Sequence, residues 1–341
     1  MVKAMIHGSH SKPARRSAAS AWLSLCLLLA SMCSASAQRP PDGYPDKPVR
    51  LIVSSIAGST NDVFARLVAP KVAERLGQTI VIDNRGGANG IPALNAIAQA
   101  SPDGYTVMSA GNLLVLNGVL KRVPYDVRKA LDPVAQLSSQ PYLLLAHPTL
   151  PANTFGEFLA YAKSKPGAVS YGSSGLGSVN HLGTELLAMR AAIAMVHVPY
   201  KGNAQAILDL VSGRIHLLFA TGVSAAPHLK TAKLKALAIS GAKRSAAFPD
   251  VPTVAESGIP GYDVTNAYFL YVPAGTPAGI GELLNREFTD AVHLPDVRAK
   301  LAPGGIDPGE RRSLAALKGL YLREYDTWDS FLKTSGLKLG D

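Results

Sequence analysis

Two successive α/β units predict a two-lobed fold, each lobe a doubly wound parallel sheet, with a ligand cleft between the lobes. Three observations carry this expectation. Short apolar, partly β-branched runs alternate with runs of helical period from residue 49 onward. The β-α-β-α-β order appears once and then again. The chain of 341 residues is 47% apolar and only 17% charged, which suits about two packed domains and not a disordered segment.

The elements follow in order. Val49 to Ser54 (VRLIVS) reads as a buried strand. Val63, Phe64, Leu67, Val68, Val72 and Leu76 then recur at helical spacing, and Gly77 stops that helix. Thr79 to Asp83 is the second strand, Gly86-Gly87 a turn, Ile91 to Ala100 a helix, and Tyr105 to Ser109 the third strand. The second unit starts with a strand at Tyr142 to Ala146. It continues with helix Phe155 to Lys163, strand Val169 to Gly172, helix Val179 to Met189 and strand Val196 to Val198. Helix Ala204 to Val211 and strands Leu217 to Ala220 and Leu234 to Ile239 complete it. Tyr268 to Val272 is a late strand, followed by helices Ala278 to Val292 and Leu314 to Lys333. Crossings between the lobes are expected near Gln140 to His147 and Tyr262 to Tyr271. The expected division is 38–144 with 267–341 as lobe 1 and 145–266 as lobe 2.

Residues 1–37 read as an export signal. Lys3, Lys12, Arg15 and Arg16 precede a ten-residue apolar run, Ala21 to Ala30, half the roughly 20 residues that span a bilayer. Ala35-Ser36-Ala37 supplies the small-residue cleavage pattern. The alternative is an N-terminal anchor helix, which the short run disfavours. Arg15-Arg16 lacks the polar and aromatic context of a twin-arginine signal, so general secretion is expected. Cleavage changes the arithmetic: the formal charge of +10 becomes +6, from 30 basic and 24 acidic residues. Both cysteines, Cys26 and Cys33, leave with the leader. A cysteine-free exported chain relies on core burial, which fits a bacterial periplasm.

Four small-residue loops follow predicted strands. They are Ile56 to Asp62 (Ile56, Ala57, Gly58, Ser59, Thr60, Asn61, Asp62), Ala110-Gly111-Asn112, Gly172 to Ser178 (GSSGLGS) and Ala220-Thr221-Gly222. In α/β sheets ligands bind outside the carboxyl ends of strands, where helix N-termini attract anions. Four such loops point to a cleft for a small anion. Signatures of other chemistry are missing. Gly172-Ser173-Ser174-Gly175 falls one residue short of a nucleophile elbow. Gly175-x-Gly177 has no third glycine, and no Walker lysine follows any Gly loop. His181 and Glu185 stand four apart on one helix, read as a hydrogen-bonded structural pair because nothing nearby completes a metal site. His197 reads as a core histidine. Scattered Lys and Arg argue against nucleic acid.

Further motifs run the length of the chain. They are Tyr44-Pro45-Asp46-Lys47-Pro48, Asp83-Asn84-Arg85-Gly86-Gly87-Ala88, Ser101-Pro102-Asp103-Gly104-Tyr105-Thr106 and Val123-Pro124-Tyr125-Asp126. Val198-Pro199-Tyr200-Lys201-Gly202, Phe248-Pro249-Asp250-Val251-Pro252-Thr253-Val254-Ala255-Glu256 and Val272-Pro273-Ala274-Gly275-Thr276-Pro277 follow. In this order they resemble the receptors of tripartite tricarboxylate transporters, the Bug or TctC-like periplasmic solute-binding proteins. The resemblance implies a type II periplasmic-binding-protein fold and a small carboxylate ligand held by loop amides and bridging waters. It also implies delivery to membrane permease subunits, with no catalysis, cofactor or metal, and a monomeric receptor. Carried over by position, the ligand-binding residues are Ala57, Gly58, Ser59, Thr60, Asn61 and Asp62, then Ala110, Gly111 and Asn112. Ser174, Gly175, Gly177, Ser178 and His181 follow in the second lobe, with Ala220 and Thr221. Ser59 stands where the family usually has Gly, and Asn61 where it has Thr or Ser. Ala220 stands where many members carry Asp, which favours a plain mono- or dicarboxylate over an amino-bearing ligand. Two rival readings stay open here: a sensing receptor with the same site, and a secreted hydrolase built on Ser173 or Ser174 with His181.

Overall fold

The structure, a computed structural model, describes residues 43–337; the leader and its cleavage site lie outside the described residues. Strand β1 (Val49–Val53) divides its side chains between two apolar layers, Val49, Leu51 and Val53 facing one and Ile52 the other. It leads to α1 (Thr60–Leu76), where Ser59 accepts a hydrogen bond from the Asp62 amide and Gly77 ends the helix in the left-handed region (φ 68°). Strand β2 (Ile80–Asn84), helix α2 (Ile91–Ala98) and strand β3 (Thr106–Gly111) follow. β1 runs parallel to β2 on one side and β3 on the other.

Beyond β3 the chain departs from the expected pattern. Two helices that sequence periodicity did not reveal, α3 (Leu113–Val119) and α4 (Val127–Ala130), precede β4 (Leu131–Ala146), a strand of 16 residues. Only its last five, Tyr142 to Ala146, were legible. Pro133, Gln136, Ser138, Gln140 and Pro141 break the apolar pattern of the earlier part. That part is nonetheless strand because β9 (Thr265–Pro273) pairs along it with two register shifts. β9 is antiparallel to both β3 and β4. The first sheet, ordered β2-β1-β3-β9-β4, is therefore mixed and not wholly parallel. A chain re-entering from the second unit in the opposite sense pairs antiparallel.

Between Pro141 and Tyr142, β4 exchanges partners, pairing with β7 (Leu217–Thr221) and β8 (Lys235–Ile239) in its later part. The second unit supplies α5 (Phe155–Ser164), β5 (Ser170–Ser173), α6 (Val179–Ala191), β6 (Val196–Pro199) and α7 (Asn203–Val211). β5 is parallel to β6 and β7, whereas β4 is antiparallel to β7 and β8, so this sheet is mixed as well. Helix α8 (Gly222–Lys230) was hidden in the sequence by Pro227 in its interior. The chain closes with α9 (Ala278–Val292), α10 (Pro295–Leu301), the short β10 (Asp307–Pro308) on β4, and α11 (Leu314–Ser335).

Three cores hold this together. α1, α9 and α10 cover one face of the first sheet, through Phe64, Val68, Leu284, Phe288 and Val297. α7 and α8 cover one face of the second through Ile207, Leu210 and Ala225. A third core is continuous from the first sheet to the second, from Leu94 and Leu116 through Leu144 to Tyr171, Leu182 and Phe219. It leaves the carboxyl ends of the parallel strands for polar loops. Among the described residues no helix is long and apolar enough to cross a membrane.

Candidate functional site

The loop after β1 is built around two buried polar side chains. Asp62 is 2% exposed. Its carboxylate accepts from the Gly58 amide (2.8 Å), Arg66 Nε (3.0 Å) and Asn84 Nδ2 (2.9 Å). Hydrogen bonds from Arg66 above all hold this carboxyl below its ordinary range. With these donors in place, Asp62 shapes the loop rather than offering a free charge. Asn61, equally buried, donates to the Ser109 carbonyl (3.0 Å) and accepts from Ser109 Oγ (2.6 Å), so the first turn of α1 is tied to the end of β3. Ser59 caps the helix, and the amides of Thr60 and Asn61 have no intrahelical acceptor.

The second sheet repeats this device. Asn180 occupies the second position of α6, as Asn61 does in α1. It accepts from Ser174 N (3.3 Å), Ser174 Oγ (3.0 Å) and Ser178 Oγ (2.8 Å). It donates to Asn203 Oδ1 (2.9 Å) and to the Phe219 carbonyl (3.1 Å) of β7. In each sheet, then, an asparagine in the first helical turn reaches from one parallel strand to its neighbour. Sequence reading missed Asn180, Asn203, Asn84 and Ser109. Only Asn180 carries a local signal, an Asn at the second position of a helix that follows a Gly/Ser loop; Asn203, Asn84 and Ser109 are marked only as partners of Asn180, Asp62 and Asn61 in turn. Ser178 spends its hydroxyl on the Gly175 carbonyl and Asn180 instead of capping α6, and Thr221 does not cap α8. The first-turn amides of both helices are left open.

The structure distributes the other expected residues unevenly. Gly58 and Thr60 share a recess of about 620 Å³ with Val63, Val223, Lys230 and Ile306, among others, so α1 and α8 face one space. Ala110 and Ala220 are buried within their strands and offer no side-chain surface. Gly111 pairs with Tyr268 in β9. Asn112 is committed elsewhere: its amide donates to Glu324 and its carbonyl accepts from the Ala267 amide (2.8 Å). Burial pushes Glu324 up to about 7.

His181, 2% exposed, accepts from the Gly177 amide (3.1 Å) and stacks on His197 at 3.9 Å between centroids, with Tyr171 beside them. Burial lowers both histidines to about 4, so both are neutral at pH 7. Glu185 accepts from the Tyr171 hydroxyl, not from His181, which corrects the pairing read from their spacing. The hydrolase reading loses its constellation too. Ser174 bonds Asn180, and the serine that does meet a histidine, Ser173 with His197 Nε2 at 2.7 Å, is 0% exposed.

The model of the tripartite tricarboxylate transporter family receptor matches residues 64–334. The chain belongs to this receptor family. Its relatives agree. BugT of Bordetella pertussis is 33% identical over 87% of this chain and 92% of its own length. A UPF0065 protein of Bordetella bronchiseptica is 35% identical over 85% and 86%. Among solved structures, Rpa4515 of R. palustris with adipate is 33% identical, with a TM-score of 0.74, covering 86% of this chain and 98% of that one. MatC of Rhodopseudomonas palustris with bound malate is 32% identical, with a TM-score of 0.71, covering 85% and 100%. The tricarboxylate-transporter receptors are periplasmic solute-binding proteins, and this chain has their mixed α/β architecture.

Proposed function

We propose that this receptor captures a small organic carboxylate between the carboxyl ends of its two sheets. It then hands the ligand, as a periplasmic monomer, to the membrane subunits of a tripartite tricarboxylate-type transporter. The residues around the cleft belong to two lobes, 38–144 with 267–341 and 145–266. The observation that carries the reading is the set of helix N-termini at the strand ends. α1, α6 and α8 each begin directly after a strand or its loop, with first-turn amides that no helical carbonyl takes up. Such amides suit a carboxylate, and loops held by Asn61 and Asn180 keep them in place without a metal or a catalytic group.

The energetics are of the right order. Micromolar binding corresponds to about −8 kcal/mol. Hydrogen bonds to a charged group contribute about 1.5–3 kcal/mol each, so a few, with apolar contact from Val63 and Val223, suffice. The acids bound by two structural neighbours, adipate and malate, support the ligand class. Isothermal titration against mono-, di- and tricarboxylates tests it. At least one acid is expected to bind at micromolar concentration or tighter, and failure of the whole panel overturns the reading.

A further inference from the structure

We propose that the recess between α6, α11 and the strands β4 and β9 is a second binding site, separate from the carboxylate cleft, for a small zwitterion with an apolar body. The recess has a volume of about 530 Å³, within the range of about 300–1,000 Å³ that holds small molecules. Of the four small-residue loops at the strand ends, only Asn112 reaches it. Its apolar lining comes from Leu186 of α6, Phe269 of β9 and Trp328 of α11, all buried, with Leu320 half-buried beside them. Two polar atoms of the lining residues are buried without a hydrogen-bond partner, one of each kind. Gln136, 8% exposed, holds an acceptor, Oε1, to which nothing donates. Arg312 holds a donor, Nε, that nothing accepts, because its ion pair with Glu310 is made through Nη2.

A buried polar atom left unpaired is costly, and folded proteins normally satisfy it with protein, water or ligand. A molecule that meets both atoms must bring a donor and an acceptor. An ammonium on Gln136 and a carboxylate on Arg312 do so, and each makes a charge-assisted hydrogen bond, the stronger kind. The charges around the recess balance, Arg190, Arg312 and Arg323 against Asp263, Glu310 and Glu324. A zwitterion, neutral overall and charged at one end, fits that balance better than a bare cation or a dianion. Glu324 favours the ammonium further, because its carboxyl is withdrawn from water and a positive charge beside it stabilises the ionised form. The apolar side chains then receive the body of the ligand, which makes a free amino acid with an aliphatic side chain the simplest match.

The test titrates leucine, isoamylamine and isocaproate, which share one branched apolar body and differ in their charged groups. Trp328 emission reports from the recess, and the other tryptophan of the sequence, Trp22, lies in the export leader; calorimetry accompanies it. Leucine is expected to bind at least tenfold more tightly than either analogue, with the same affinity in excess of whichever carboxylate the wild type prefers. Gln136→Met, close to glutamine in size and free of the unmet carbonyl, is expected to keep the fold, lose tenfold or more for leucine and bind isocaproate unchanged. Absence of any leucine signal overturns the proposal and leaves ordered water to meet the two atoms. Competitive displacement of leucine by the carboxylate overturns it by placing leucine in the cleft, and so does an unchanged leucine affinity in Gln136→Met. None of these results overturns the carboxylate-receptor reading, which stands or falls on its own panel of acids.

Discussion

Replacing Asn180 by alanine removes the carboxamide that joins the Gly172 to Ser178 loop, Asn203 and the end of β7. The Phe219 carbonyl is the most consequential partner, because its hydrogen bond from Asn180 is buried, away from water that could replace it. Leaving it unpaired costs about 1–3 kcal/mol, while Ser174, Ser178 and Asn203 are partly exposed and recover most of their bonding from water. A loss of about 2–4 kcal/mol in folding stability is expected, read from the urea midpoint at constant slope. The loop that Asn180 anchors must then be ordered on binding, which weakens the ligand by about tenfold, or about 1.4 kcal/mol. Titration with whichever acid the wild type prefers measures that loss. A variant within ~0.5 kcal/mol of wild type and with unchanged affinity would refute the view that these asparagines organise the site.

Two more perturbations probe neighbouring parts. Because burial holds His181 and His197 near 4, the unfolded chain binds protons between about pH 6.5 and 4 that the folded protein refuses. These two groups therefore make stability fall as pH falls through that window, by up to about 1.4 kcal/mol per pH unit each. Glu324, pushed up to about 7, acts in the opposite direction over much of the same range. The measurement is thus the difference in urea stability between wild type and His197→Gln at pH 7.5 and 5, with a shallower acid loss expected in the variant. Gly86→Ala places a Cβ 2.4 Å from the Ile56 amide nitrogen, against backbone that cannot rotate away. It is expected to displace the Ile56 to Asp62 loop and weaken carboxylate binding by more than tenfold in titration, whereas Gly156→Ala, on the helix Phe155–Ser164 with nothing within 4 Å and no positive φ, leaves binding unchanged.

The parallel strands and their helices were legible because they obey the simple periods. Val49 to Ser54 is compactly apolar, and α1 carries both its helical repeat and its stop signal at Gly77. The first part of β4 was not, because its burial comes from pairing with a strand more than a hundred residues away, and local pattern contains no trace of that partner. The antiparallel sense of β9 was illegible for the same reason. At the site, glycine and serine mark where loops turn, so the four loops were found. What a buried polar side chain does inside a loop depends on neighbours. Asp62 is visible as a charge in the sequence, but only the fold shows it satisfied by Gly58, Arg66 and Asn84. Arg122, conversely, reads as one more surface cation until the fold brings it against Gly177.

A crystal structure of the protein with adipate tests most directly whether a carboxylate seats on open helix amides between the two sheets. The expected result has a carboxylate of adipate within about 3.2 Å of the Thr60 or Asn61 amide. Adipate found instead in the recess beside Glu324 and Asn112, with the loops after β1 and β5 empty of ligand, contradicts it.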